Sequence, residues 1–108
     1  MGNPKFVIQR SQDQFRFHLA APNGEIILTS ERYTTQASAE NGVMSVIESA
    51  PIDRRYDKRV STDERPYFVL KGGNNEIIGT SQMYASREAR DGGIHAVKVN
   101  APLAVVDG

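Results

Sequence analysis

The stretch PNGEIILTSERY, Pro22 to Tyr33, returns as GNNEIIGTSQMY, Gly73 to Tyr84, and this repetition constrains the fold of the 108-residue chain more than any other feature. In register, Asn23 meets Asn74 and Glu25-Ile26-Ile27 meets Glu76-Ile77-Ile78. Thr29/Thr80, Ser30/Ser81, Tyr33/Tyr84, Gly42/Gly93, Val46/Val97, Ala50/Ala101 and Pro51/Pro102 follow without a gap. Such a run is the mark of an internal duplication. Below about 40–60 residues a hydrophobic core is marginal, so two copies of this size are expected to share one core. The chain therefore reads as a single domain, 1–108, with repeat one at about 5–56 and repeat two at about 57–107.

Within the first copy, Phe6 and Ile8 alternate with Lys5, Val7 and Gln9, and after the polar SQDQ Phe15, Phe17 and Leu19 alternate with Arg16, His18 and Ala20. A period of two predicts half-buried strands. Asn23-Gly24 predicts a tight hairpin turn, with Glu25 to Thr29 as the return strand. The second copy keeps the phase with Pro66, Phe68 and Leu70, and Gly72-Gly73-Asn74-Asn75 replaces the turn. Three strands per copy result. After Tyr33, Ala39, Val43, Val46, Ile47 and Ala50 recur at helical spacing, with Thr35 placed as N-cap. The matching REARDGGIHAVKV contains two glycines, each costing a helix about 1 kcal/mol against alanine, but the gapless repeat predicts a helix there as well, capped by Ser86. Gly42 and Gly93 are then expected where the helix backbone comes close to the sheet. Each helix should stop before Pro51 or Pro102, because the residue preceding proline avoids helical geometry. A short strand is expected after each: IDRRY in the first copy, LAVVD in the second.

The NGEII-TS-Y phrase, the helix with Gly42 before Val43, the closing Ala50-Pro51 and the strand PYFVLK at Pro66 to Lys71 resemble the YegP-like family, small bacterial proteins of unknown function often built from two tandem repeats. The resemblance covers nearly the whole chain. It implies an α+β fold: a β-β-β-α-β unit used twice, forming one antiparallel sheet with two helices on one face, each copy's final strand exchanged into the other half, and pseudo-two-fold symmetry. Two departures are local. Gly73-Asn74 stands where the family has its Asn-Gly turn, and Glu64-Arg65 replaces a Gly-Lys before Pro66. The family carries no established catalytic residues to transfer.

Composition narrows the function. Lys plus Arg equals Asp plus Glu, 13 each, whereas proteins dedicated to nucleic acid usually show a basic excess to neutralise phosphates. Without cysteine there is no disulfide framework, thiolate zinc site or Cys nucleophile. No apolar run approaches the ~20 residues that span a bilayer, and MGNPKFVIQR has no signal-peptide core. A cytoplasmic protein with no membrane association is the expectation. The duplication also predicts a monomer that contains its own two-fold partner.

Among the polar residues shared by both copies, Glu25/Glu76, Thr29/Thr80, Ser30/Ser81 and Tyr33/Tyr84, the hydroxyls are expected to bond backbone where the strand leaves the sheet and the tyrosine to cover the helix entry. Asp91 and His95, with Glu88, share a helix face in one copy only, their counterparts being Glu40, Met44 and Ala37. No catalytic residues, metal or cofactor are therefore expected, and a hydrolase at the His95 face is the weakest alternative. The run Arg54, Arg55, Tyr56, Lys58 and Arg59 can neutralise phosphates and stack a base, but Asp53 and Asp57 interrupt it. If both helices cover one sheet face, strand phase places Arg16, His18, Tyr67, Val69 and Lys71 on the other, with Val7 and Gln9 on the same side. The leading expectation is thus a non-enzymatic binding module that offers this open face to a protein or small-molecule partner. Weak single-stranded nucleic-acid binding through Arg16, Tyr67, Lys71 and the basic run is the alternative.

Overall fold

The structure, a computed structural model, describes residues 2–108. The first copy comprises β1 (Lys5–Ser11), β2 (Gln14–Ala20), β3 (Ile26–Thr29) and α1 (Gln36–Ser49); the second comprises β4 (Tyr56–Val60), β5 (Pro66–Lys71), β6 (Ile77–Thr80) and α2 (Arg87–Asn100), followed by β7 (Val105–Asp107). One seven-stranded sheet results, in the order β4-β5-β6-β3-β2-β1-β7. The two halves meet where Thr29 of β3 pairs antiparallel with its own repeat partner, Thr80 of β6. The fold is α+β, as expected.

The helices bury largely equivalent positions in both copies. Thr35 Oγ1 accepts from Ser38 N and Ser86 Oγ from Ala89 N, both at 3.0 Å, so the expected caps start both helices. Their apolar stripes, Val43 and Val46 in α1 and Ile94 and Val97 in α2, join Phe6, Phe17, Leu19, Phe68 and Leu70 in one core. Burying each such side chain fully contributes about 1.5–3 kcal/mol. Aromatic rings repeat the symmetry. Phe6, Phe17 and Tyr33 form an edge-on contact at 6.0 Å and a stack at 6.1 Å; Tyr56, Phe68 and Tyr84 do so at 5.7 and 6.4 Å. The tyrosines explain the helical glycines. A Cβ built on Gly42 lies 2.8 Å from Tyr33 Cζ, and one on Gly93 lies 2.5 Å from Tyr84 Cζ. Each glycine thus makes room for a tyrosine wedged between helix and sheet.

Three details differ from expectation. First, IDRRY is not a strand: Asp53–Arg55 forms a 3-10 turn that leads into β4 at Tyr56. The first copy must begin the second copy's first strand at once, which leaves no chain for a separate closing strand. Only β7 crosses to the other half. Second, β7 lies parallel to β1, Val105 N donating to Pro4 O at 3.1 Å, so the sheet is mixed and not wholly antiparallel. A second 3-10 turn, Ala101–Leu103, delivers β7 to the end of the sheet where β1 also begins. Third, the Asn23-Gly24 turn has one positive φ and not two. Gly24 N donates to Ala21 O and only Gly24 is left-handed, at φ 87°. The turns at 61–65 and 72–76 repeat this form, with Glu64 (φ 65°) and Asn75 (φ 69°) at the left-handed position. The β1–β2 turn is tighter, Gln12 and Asp13 alone linking the strands at φ 50° and 64°. Its one-residue difference from 61–65 shifts the equivalence of the copies: Phe17 matches Phe68, but Phe6 matches Tyr56, because they face Leu19 and Leu70 respectively.

Candidate functional site

With both helices on one face, the opposite face of the sheet is uncovered, an arrangement antiparallel strands permit. Strand pairing aligns one row across all seven strands: Asp57, Val69, Thr80, Thr29, His18, Val7 and Asp107. The five candidate residues flank its centre in two groups. Arg16 and His18 lie on β2, and Tyr67, Val69 and Lys71 lie on β5, three strand spacings away, or about 14 Å.

The two groups differ in character. On β5, Lys71 Nζ lies 3.6 Å from Asp57 Oδ2, which also accepts from Arg59 Nε at 3.0 Å. These partners stand around Val69, which is only 2 % exposed and so offers little contact surface. On β2, Arg16 is exposed, and its guanidinium has no hydrogen-bond or ion-pair partner among the described residues. His18 is half-buried, and burial first, then the Arg16 charge, lowers its pKa below the ordinary histidine value.

The basic run is dispersed. Arg54 and Arg55 sit in the 3-10 turn, where Arg55 donates to buried Ser49 Oγ at 2.9 Å. Tyr56 turns to the core and donates to Ala50 O at 2.8 Å; burial first, then Asp53, raises its pKa. Lys58 pairs with Asp91 at 3.3 Å, and Arg59 points to the open face beside Asp57. His95 lines a recess of about 400 Å³ between α2 and β4, together with Asp91, Tyr56, Lys58, Asp53 and Lys98. Glu88 is not part of it, and Asp91 is held by Arg90 at 3.1 Å and by Lys58, which keep its carboxyl below its ordinary pKa. Among the described residues, no three His, Cys, Asp or Glu side chains come together as metal ligands.

Most polar residues retained in both copies have a structural duty. Ser30 Oγ accepts from Phe17 N at 2.9 Å and donates to Glu31 O; Ser81 Oγ accepts from Phe68 N at 3.0 Å and donates to Gln82 O. Asn23 and Asn74 each accept the N–H two residues ahead. In these pairs, what both copies keep, the fold uses. One cluster that differs between copies was not legible in the sequence. Arg10, Arg16 and Arg32 line a recess of about 520 Å³ at the tip of the first hairpin. Their counterparts are Val60, Tyr67 and Met83, a contrast that is the only trace of the cluster in the sequence.

The family described as "Domain of unknown function (DUF1508)" matches twice, at residues 11–57 and 61–107, and the chain belongs to that family. Among its relatives are the UPF0339 protein of Acinetobacter baylyi, 51 % identical over 93 % of this chain and 90 % of that one, and the UPF0339 protein YegP of Escherichia coli O6:H1, 52 % identical over 88 % and 87 %. The solution structure of Escherichia coli YegP, a protein of unknown function, superposes with a TM-score of 0.91 at 45 % identity, covering 99 % of this chain and 93 % of that one. That of the UPF0339 protein of Shewanella oneidensis gives 0.90 at 46 %, covering 98 % and 91 %. No helix of the described residues is long and apolar enough to cross a membrane.

Proposed function

We propose that this protein is a non-enzymatic, cytoplasmic binding module that receives a protein or small-molecule partner on the open face of its sheet. The observation that carries the reading is that seven strands are covered on one side only, so that the row through Thr29 and Thr80 is presented as one continuous surface. The β2 side of that surface is the more available. Arg16 is free to engage a partner there, and half-buried His18 offers a ring beside it. On the β5 side Tyr67 supplies the aromatic contact, since Val69 is enclosed and Lys71 is already paired. A nucleic-acid partner has less support, because Lys58, Arg59 and Lys71 each already engage a carboxylate.

The test is an amide NMR titration of the labelled protein at low salt, with cell extract separated into metabolites, proteins and nucleic acids. Shifts at Arg16, His18 and Tyr67 with the metabolite or protein fraction are expected. Silence at all three with every fraction would refute the open-face reading. A response to the nucleic-acid fraction that collapses as salt rises would establish the alternative, since phosphate contacts weaken steeply with salt. Hydrolysis lost in a His95→Ala variant would refute the non-enzymatic reading, and fractionation of cells producing the tagged chain checks the compartment.

A further inference from the structure

We propose that the recess at the tip of the first hairpin is a site for a small organic phosphate, a ligand of mononucleotide size. The site lies at the hairpin end of the open face and shares Gln9 and Arg16 with it. Arg10, Arg16 and Arg32 line the recess together with Gln9, Gln14 and Phe15, Arg10 on the Phe15 side of the hairpin and Arg16 on the other, and no acidic residue lines it. In a chain with zero net charge this is a local concentration of positive charge. Asp13, outside the lining, touches Arg10 at 3.3 Å in an exposed pair that is worth little.

Two of the arginines are held in place by neighbouring side chains. Arg10 lies over the Phe15 ring, 5.8 Å from its centroid, a cation–π contact that orients the group, while its Nη2 donates to Asp13 and its other N–H donors face outward from that pair. Arg32 Nη1 donates to the neutral carbonyl Oε1 of Gln14 at 3.3 Å. The third, Arg16, has no partner among the described residues. Planar guanidinium forks match phosphate oxygens in paired hydrogen bonds, and charge-assisted bonds of this kind are about twice as strong as neutral ones. The about 520 Å³ of the recess falls within the ~300–1,000 Å³ typical of small-molecule sites. The residues come from β1, β2 and the segment after β3, brought together by the two-residue turn at Gln12 and Asp13 and by the Phe15–Tyr33 bridge.

The second copy shows that the fold does not require these charges. At the matching positions it has Val60, Tyr67 and Met83, and Pro66 replaces Phe15. Structure accounts for what the copies share, such as Ser30/Ser81 and Tyr33/Tyr84, whereas the arginine cluster serves no evident packing purpose.

The experiment is an amide NMR titration of the full chain with pyrophosphate, AMP, adenosine, citrate and a single-stranded tetranucleotide, repeated on Arg16→Gln, Arg32→Gln and the control Arg54→Gln. Pyrophosphate and AMP at millimolar concentration are expected to shift Gln9 to Arg16 and Arg32, with adenosine silent and citrate weaker. Each of Arg16→Gln and Arg32→Gln should weaken AMP about tenfold, as loss of a hydrogen bond to a charged group does, while Arg54→Gln leaves it unchanged. Thermal melts confirm that the variants, all at exposed or partly exposed polar positions, remain folded. No shift at these amides, or equal weakening by Arg54→Gln, would overturn the proposal, as would citrate binding as well as AMP. A tetranucleotide that binds far more tightly than AMP would replace it with a nucleic-acid site. Shifts confined to the recess, with His18, Tyr67 and Lys71 silent, support the phosphate site and leave the open-face reading to the extract titration; shifts at His18, Tyr67 and Lys71 with the recess silent overturn the phosphate site.

Discussion

At the pseudo-two-fold axis the repeat is broken in a way that can be measured. Leu28 of β3 and Gly79 of β6 are repeat partners, and a Cβ built on Gly79 falls 2.7 Å from both Cγ and Cδ2 of Leu28. Comfortable carbon–carbon contact is about 3.5–4.0 Å, and Leu28 is only 1 % exposed. Gly79→Ala should therefore incur an overpacking cost of about 1–3 kcal/mol, offset by roughly 0.5–1 kcal/mol from the reduced freedom of the unfolded chain. A net loss of about 1–2 kcal/mol lowers the melting temperature by at least ~4 °C, given that 1 kcal/mol corresponds to about 4–8 °C in a domain near this size. Leu28→Ala alone should cost about 2–5 kcal/mol. Combined, the two changes should couple. With Leu28 truncated, Gly79→Ala becomes neutral or stabilising, giving an interaction term of about 1 kcal/mol or more. Urea unfolding of the four proteins, followed by circular dichroism, supplies the cycle. Additivity within about 0.5 kcal/mol, the behaviour of independent sites, would refute the argument that these residues compete for one volume.

Three further outcomes follow from the described geometry. Glu64 occupies a left-handed position at φ 65° with no side-chain bond of its own, so Glu64→Gly should raise stability by about 1 kcal/mol, and a lower melting temperature would contradict this. Gly93→Ala should destabilise α2 by driving Cβ into Tyr84, whereas Gly92→Ala, with nothing within 4 Å, should stabilise it by up to about 1 kcal/mol; equal melting shifts in the two variants would refute the wedge. The His18 pKa, depressed by burial and then by Arg16, should titrate below ~6.5 by NMR and move upward in Arg16→Gln without reaching the ordinary value. Because the folded pKa lies below the unfolded one, His18's contribution to stability is present above about pH 6.5 and is lost as pH falls through the folded pKa. A midpoint at or above the ordinary value would reverse that sign.

Much of this architecture was legible because the chain states it twice. The ambiguous REARDGGIHAVKV could be read as helix by reference to its clearer partner, and Ser86 caps it as Thr35 caps α1. What escaped reading depends on contacts that no local pattern records. Alternation correctly places Val69 opposite Phe68, but not the Lys71–Asp57–Arg59 group that encloses it. The strand expected at IDRRY was lost to connectivity, and the parallel course of β7 was set by where its 3-10 turn releases the chain. The arginine recess was hidden for the same reason. Arg32 joins Arg10 and Arg16 only through the bridge between Phe15 and Tyr33.

The Leu28–Gly79 contact also bears on why the two halves are carried on one chain. Across the axis of a true homodimer each residue meets its own copy: leucine would face leucine with no room, or glycine would face glycine and leave a void. A large residue can fill the space vacated by a small one only when the two positions are encoded separately. Fusion thus gives this sheet an interior that no symmetric pair of single repeats could adopt, and once that fit is in place, neither half is interchangeable with the other.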